Sequence, residues 1–154
     1  LPTVRQVLPE EGAKDWILDA RRLVREVLVA QPIEDYVVRL VDATRPDLPA
    51  PRQGNPHGAR QAGGESNSVA QRFIRYGASP RGAQAILMGA KVLALVRGRV
   101  NVSFEDVDQL VIAALNHRVV LSFEAEAERR TAVDILRELT SPIQKQQRAA
   151  GSRQ

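Results

Sequence analysis

At 154 residues, with 44% apolar and 26% charged side chains, the chain has the make-up of an ordinary globular domain, long enough to bury a core. Aromatic residues account for only 4%. That disfavours binding of single-stranded nucleic acid on stacking platforms and leaves Leu, Val, Ile and Ala to build the interior. There is no Cys, which excludes disulfides and thiolate metal sites; 22 Lys and Arg against 18 Asp and Glu give a net charge of +4, with Arg strongly preferred over Lys, read first as a solvated surface.

No apolar run reaches the roughly 18 residues of a membrane span, and no charged-then-apolar leader opens the chain. A soluble, cytoplasmic protein is expected, and Leu1 in place of an initiating Met is expected of a fragment.

Five segments carry helical periodicity, which predicts an all-α fold, a small bundle of about five helices with a long flexible loop. In the first, Trp16, Ala20, Leu23, Val24, Val27 and Leu28 line one face, with Asp15 as its cap. The second opens at Pro32, sets Ile33, Tyr36, Val37, Leu40 and Val41 on one stripe, and should end near Arg45. Residues 46–67 are rich in Pro and Gly and poor in large apolar groups, so they read as a flexible loop insertion. The third helix is marked by Ser79 as cap, Pro80 at the first helical position, a stripe of Ala83, Ile86, Leu87, Ala90 and Ala94, and Gly98 as its stop. Ser103 with Asp106 forms a capping-box pattern ahead of Val107, Leu110, Val111, Ala114 and Leu115. Val119–Leu121 read as an extended connector ending at Phe123. Thr131 with Asp134 begins a last helix containing Ile135, Leu136 and Leu139, which Pro142 should end, leaving a frayed tail.

The stretch from Ile74 to Arg81, Ile-Arg-Tyr-Gly-Ala-Ser-Pro-Arg, resembles the signature of the MoxR family of AAA+ ATPases. So does the helix Asp35-Tyr36-Val37-Val38-Arg39-Leu40-Val41-Asp42-Ala43-Thr44-Arg45, ending in Thr-Arg. Downstream, Ala90-Lys91-Val92-Leu93-Ala94, Arg97-Gly98-Arg99, Val102 to Val107 and His117 to Ala127 follow in the order and spacing of that family's C-terminal helical lid. The resemblance covers about residues 4 to 140 and departs from the family at the longer 46–67 segment and at Gly82, where Ala is usual. It implies a division into an extension from a missing ATPase core (1–14), a lid (15–140) and a flexible tail (141–154).

By that resemblance Arg81 is the catalytic sensor 2 arginine, reaching from the lid to the γ-phosphate of ATP, and Gly77, Ser79, Pro80 and Arg81 are the expected cofactor-binding residues. Residue chemistry points the same way. An Arg in the first turn of a helix lies where free N–H groups and the positive dipole end already favour an anion, and a guanidinium can bond two phosphoryl oxygens at once. Gly77 is expected to let the preceding chain turn sharply. No Gly-x-x-x-x-Gly-Lys-Ser/Thr loop and no magnesium-holding Asp-Glu pair occur, so the segment alone is not expected to hydrolyse ATP. The resemblance implies Mg2+ and ATP as ligands of the parent protein, the AAA+ core of the same chain as its partner, and a homo-hexameric ring with a chaperone-like remodelling role. Clients with von Willebrand factor A domains also follow from it.

Lys91, Arg97 and Arg99 read as solvated or subunit-contacting. His57 and His117 lack the neighbours a metal site needs, and His117 suits either a subunit interface, with Arg118, or a helix C-terminus. Two other readings compete. One is a non-catalytic helical interaction module. The other is a helix-turn-helix spanning residues 80–97 and 103–116, which Glu105, Asp106 and Asp108 at the head of the would-be recognition helix oppose, because phosphate would repel them.

Overall fold

The computed structural model describes residues 11–47 and 65–151. Among these, the elements run α1 (Ala13–Glu26), α2 (Gln31–Asp42), α3 (Glu65–Phe73), β1 (Ile74–Tyr76), α4 (Pro80–Val96), α5 (Phe104–Leu115), β2 (Val120–Leu121), α6 (Phe123–Ala127) and α7 (Ala132–Gly151). The all-α expectation stands, with seven helices in place of five and a two-stranded antiparallel ribbon that pairs Ile74 with Leu121 and Tyr76 with Val120. Residues 48–64, most of the expected loop, lie outside the described residues, and 65–67 belong to α3.

The apolar stripes explain how the helices pack. On α2, Ile33, Tyr36, Val37, Leu40 and Val41 are all buried, against Ile86, Ala90 and Ala94 of α4 and Val107, Val111 and Leu115 of α5. A second cluster gathers Ala70 and Phe73 of α3, Ile74 of β1 and Ala125 of α6. Helix α7 serves both, placing Leu136 and Ile143 in the first cluster and Ile135 and Leu139 in the second. Its start carries the expected cap: the Asp134 amide donates to Thr131 Oγ1 at 3.2 Å.

Pro142 does not end α7. An internal proline removes one helical hydrogen bond and costs about 3 kcal/mol, yet the helix continues to Gly151. Three contacts beyond the proline offset that loss. Ile143 is buried, Arg39 donates to Gln147 Oε1 at 2.9 Å, and Arg148 bonds Asp108 at 3.0 Å. Asp108 in turn accepts from the Tyr36 hydroxyl, and burial together with this carboxylate pushes the Tyr36 phenol well above its ordinary pKa. Residues 141–151 are thus helical and partly packed, not a frayed tail.

Helix α1 also departs from expectation. It starts at Ala13, with left-handed Gly12 in the cap position in place of Asp15, and buries none of its residues. Trp16 and Leu23, on its apolar face, are 60% and 50% exposed. Its anchors lie at its end, where Val27 is buried, Lys91 donates to the Arg25 carbonyl at 3.0 Å, and Leu28 pairs with Asn101 in a parallel bridge.

Among the described residues no helix is long and apolar enough to cross a membrane.

Candidate functional site

The segment Gly77-Ala78-Ser79 carries the chain from β1 into α4, and three separate devices hold it. The β1–β2 ladder fixes the chain up to Tyr76. The Thr44 hydroxyl, fully buried past the end of α2, accepts from the Ala78 amide at 2.9 Å while donating to the Val41 carbonyl at 2.7 Å. Gly77 then lies directly on the Thr44–Arg45 backbone, where a Cβ atom would come within 2.5 Å of the Thr44 carbonyl oxygen and 2.8 Å of the Arg45 Cα. Glycine is needed there because two backbones touch. The sharp turn expected from the sequence is not the reason, since Gly77 is not among the residues of positive φ.

Ser79 occupies the N-cap of α4 in extended conformation and Pro80 takes the first helical position, as expected. The Ser79 side chain, however, makes no cap hydrogen bond. Its carbonyl takes the Gly82 amide at 2.7 Å, and among the described residues no side chain bonds the first-turn N–H groups. Arg81 projects from this turn and is exposed, and among the described residues its guanidinium has no partner. Gly82 is buried against Leu115, whose Cδ2 would lie 2.9 Å from an added Cβ. The close approach explains why glycine suits a position where the family usually has alanine. Arg118 packs beside the same residue, its Nε donating to the Ala114 carbonyl at 2.9 Å, so a second basic side chain flanks the turn.

The other basic candidates have structural partners. Arg97 and Arg99 do not stand free in solvent: both bond Asp106 Oδ1, at 2.7 and 2.6 Å. Asp106 has no exposed side-chain surface and also accepts from the Ser103 amide and hydroxyl at 2.9 Å, completing the predicted capping box of α5. Burial alone would raise its pKa. The Arg99 hydrogen bond and the Ser103 contacts outweigh burial and bring it down to about 2. With Asp106 neutralised inside the fold, the head of α5 is a structural joint. His117 is exposed just beyond Asn116, the C-cap of α5, as expected of a helix-end residue, and His57 lies outside the described residues.

These elements match those of known proteins. The AAA lid domain family matches residues 66–139. The chaperone MoxR1 of Mycobacterium tuberculosis is 32% identical over 127 residues, covering 82% of this chain and 29% of the relative. YeaC of Bacillus subtilis, an uncharacterised protein, is 28% identical over 131 residues, covering 85% of this chain and 33% of the relative. A solved structure of a proposed ATPase from Cytophaga hutchinsonii superposes with a TM-score of 0.68 at 27% identity, covering 83% of this chain and 34% of that one. The helices around Arg81 therefore form an AAA lid domain. More narrowly, the chain belongs to the MoxR family of AAA+ ATPases and is its helical lid. It spans about a third of the length of the curated relatives it matches.

Proposed function

We propose that this lid closes over an ATP site in a larger protein and that Arg81 is its sensor 2, reaching the γ-phosphate. The observation that carries this reading is the architecture of the α4 start. A rigidly held approach delivers an exposed arginine, unpaired among the described residues, to a helix N-terminus whose cap side chain leaves the first turn open. Helix N–H groups and a guanidinium together favour a multiply charged phosphate. Gly77, Ser79 and Pro80 set the approach and, with Arg81, make up the lid's nucleotide-binding residues.

In the same reading, residues 1–14 lead from the ATPase core of the same chain and 46–67 form an insertion in the lid. That core supplies the phosphate loop and the magnesium site, and Mg-ATP is the ligand of the whole protein. The assembly is a cytoplasmic homo-hexameric ring that remodels partner proteins, in line with the chaperone name of MoxR1, and clients with von Willebrand factor A domains suit it.

Steady-state ATP hydrolysis by the full-length protein tests the assignment. Arg81→Ala should lower turnover by about 10² while the lid still melts as wild type, because removal of one preorganised charge-stabilising donor costs on the order of 10²–10³. Arg81→Lys should recover only part of the loss, since an ammonium lacks the two-pronged bond. Unchanged turnover in folded Arg81→Ala would refute the assignment. Residues 1–154 alone should show no turnover above buffer.

A further inference from the structure

Arg81 stands at the tip of a segment whose placement is decided 34 residues upstream. The Ala78 amide precedes it by three residues, and the span between contains Pro80, whose φ is fixed, and Ser79, whose side chain caps nothing. Local capping therefore does not set where α4 begins. The β1–β2 ladder controls the chain only to Tyr76. The next fixed points are Gly77 in backbone contact with Thr44 and Arg45, and the Ala78 amide bonded to the Thr44 hydroxyl.

That hydroxyl can hold only one arrangement. Its proton goes to the Val41 carbonyl at 2.7 Å, in the last turn of α2, which turns a lone pair towards Ala78. Thr44 has no exposed surface, and Ala78 is buried beside it, so water does not compete for either group. One side chain thus bolts the C-terminal end of α2 to the N-terminal end of α4.

We propose that Thr44 is a positioning residue for Arg81: its bridge between the Val41 carbonyl and the Ala78 amide holds the first turn of α4 where the arginine meets phosphate. Thr44 acts through Arg81, and its role depends on the sensor 2 reading above. A misplacement of about 1 Å can cost up to about 10² in rate, so loss of the bolt should be visible in catalysis even when the core survives.

The experiment compares Thr44→Val, Thr44→Ser, Arg81→Ala and the double variant Thr44→Val/Arg81→Ala in the full-length protein. Three quantities are read: kcat and KM for ATP, affinity for a fluorescent ATP analogue, and hydrogen exchange of the Ala78 amide. Valine keeps the shape and removes the hydroxyl, while serine keeps the hydroxyl. Thr44→Val should lower kcat about tenfold, weaken analogue binding and release the Ala78 amide to exchange. Thr44→Ser should stay within about twofold of wild type, because its hydroxyl can make both bonds. In the Arg81→Ala background, Thr44→Val should have almost no further effect on kcat, the non-additivity expected of two residues acting through one contact.

If Thr44→Val does not fold, Thr44→Cys replaces it with the same expectations, since a thiol is a weak donor and acceptor. An equal loss from Thr44→Val with and without Arg81 would overturn the proposal, as would a Thr44→Val enzyme with wild-type kcat and affinity beside a crippled Arg81→Ala. Wild-type turnover in Arg81→Ala itself would instead bring down the sensor reading, and the positioning role with it.

Discussion

Helices α4 and α5 both start from a serine in extended backbone, Ser79 at φ −81°, ψ 170° and Ser103 at φ −112°, ψ 163°. From there they diverge. Ser103 accepts from the Asp106 amide, Asp106 accepts from the Ser103 amide, and the same carboxylate draws in Arg97 and Arg99. The buried Asp106 carboxylate is fully engaged there, by the cap and by two arginines. At α4 the serine side chain makes no cap bond, the first helical residue is a proline without an N–H, and the arginine that follows has no partner among the described residues. Two helix starts with the same cap residue thus do opposite work: one closes a joint, and the other keeps its positive end and its arginine available. Stability at the open start comes from Thr44 and Gly77, outside the helix.

The contrast can be broken first at its closed end. Asp106→Ala should lower stability by about 3 kcal/mol, since it removes a buried carboxylate that serves two arginines and a cap. That is a fall in Tm of roughly 10 °C for a domain of this size, read by circular dichroism. A loss below about 1 kcal/mol would mean that the joint is decorative.

Acid should act on the same carboxylate. Because the folded pKa of Asp106 is held at about 2 against an ordinary 3.8, its contribution is full above 3.8 and disappears as pH falls through 2. The contribution amounts to about 2 kcal/mol. Asp134, Asp47 and Glu124 are lowered as well, by hydrogen bonds to Thr131, to Arg45 and to the Glu124 backbone respectively, and they lean the same way. Denaturant midpoints between pH 5 and pH 2 should fall less steeply in Asp106→Asn, and an unchanged slope would remove Asp106 from the acid response.

The finest comparison sets the two serines against each other. Ser103→Ala should cost about 1 kcal/mol and Ser79→Ala only a few tenths, since only the first hydroxyl caps. Equal losses in thermal melts would show that Ser79 caps in solution.

The helical framework was largely legible in the sequence because it rests on local patterns. The α2 stripe is buried residue for residue, and the capping signals at Ser103 and Thr131 name the starts of α5 and α7. Helices α3 and α6 escaped because the first follows a Pro/Gly-rich stretch and the second is five residues long. The overrun of Pro142 and the open face of α1 depend on partners distant in the chain, such as Arg39 for Gln147. Residue chemistry and resemblance both marked Arg81, and the structure leaves it exposed in the first turn of α4. What sequence could not show was why Gly77 must be glycine or what Thr44 does, since both follow from contacts between residues more than thirty apart in the chain. The bonds that Arg97 and Arg99 make to Asp106 were not legible beside their reading as solvated or subunit-contacting. A charge run does not reveal that a buried carboxylate lies between its members.

In the proposed function the open start of α4 serves nucleotide chemistry while the closed start of α5 serves folding. Arg81→Ala and Arg97→Ala, made singly in the full-length protein and assayed side by side for ATP turnover and thermal melting, test it most directly. Arg81→Ala should lose about 10² in turnover with an unchanged melt. Arg97→Ala should lower the melting temperature and keep turnover within about twofold, its carboxylate partner retaining Arg99. An Arg81→Ala protein that hydrolyses ATP as wild type, or one that loses activity only by losing its fold, would contradict the account.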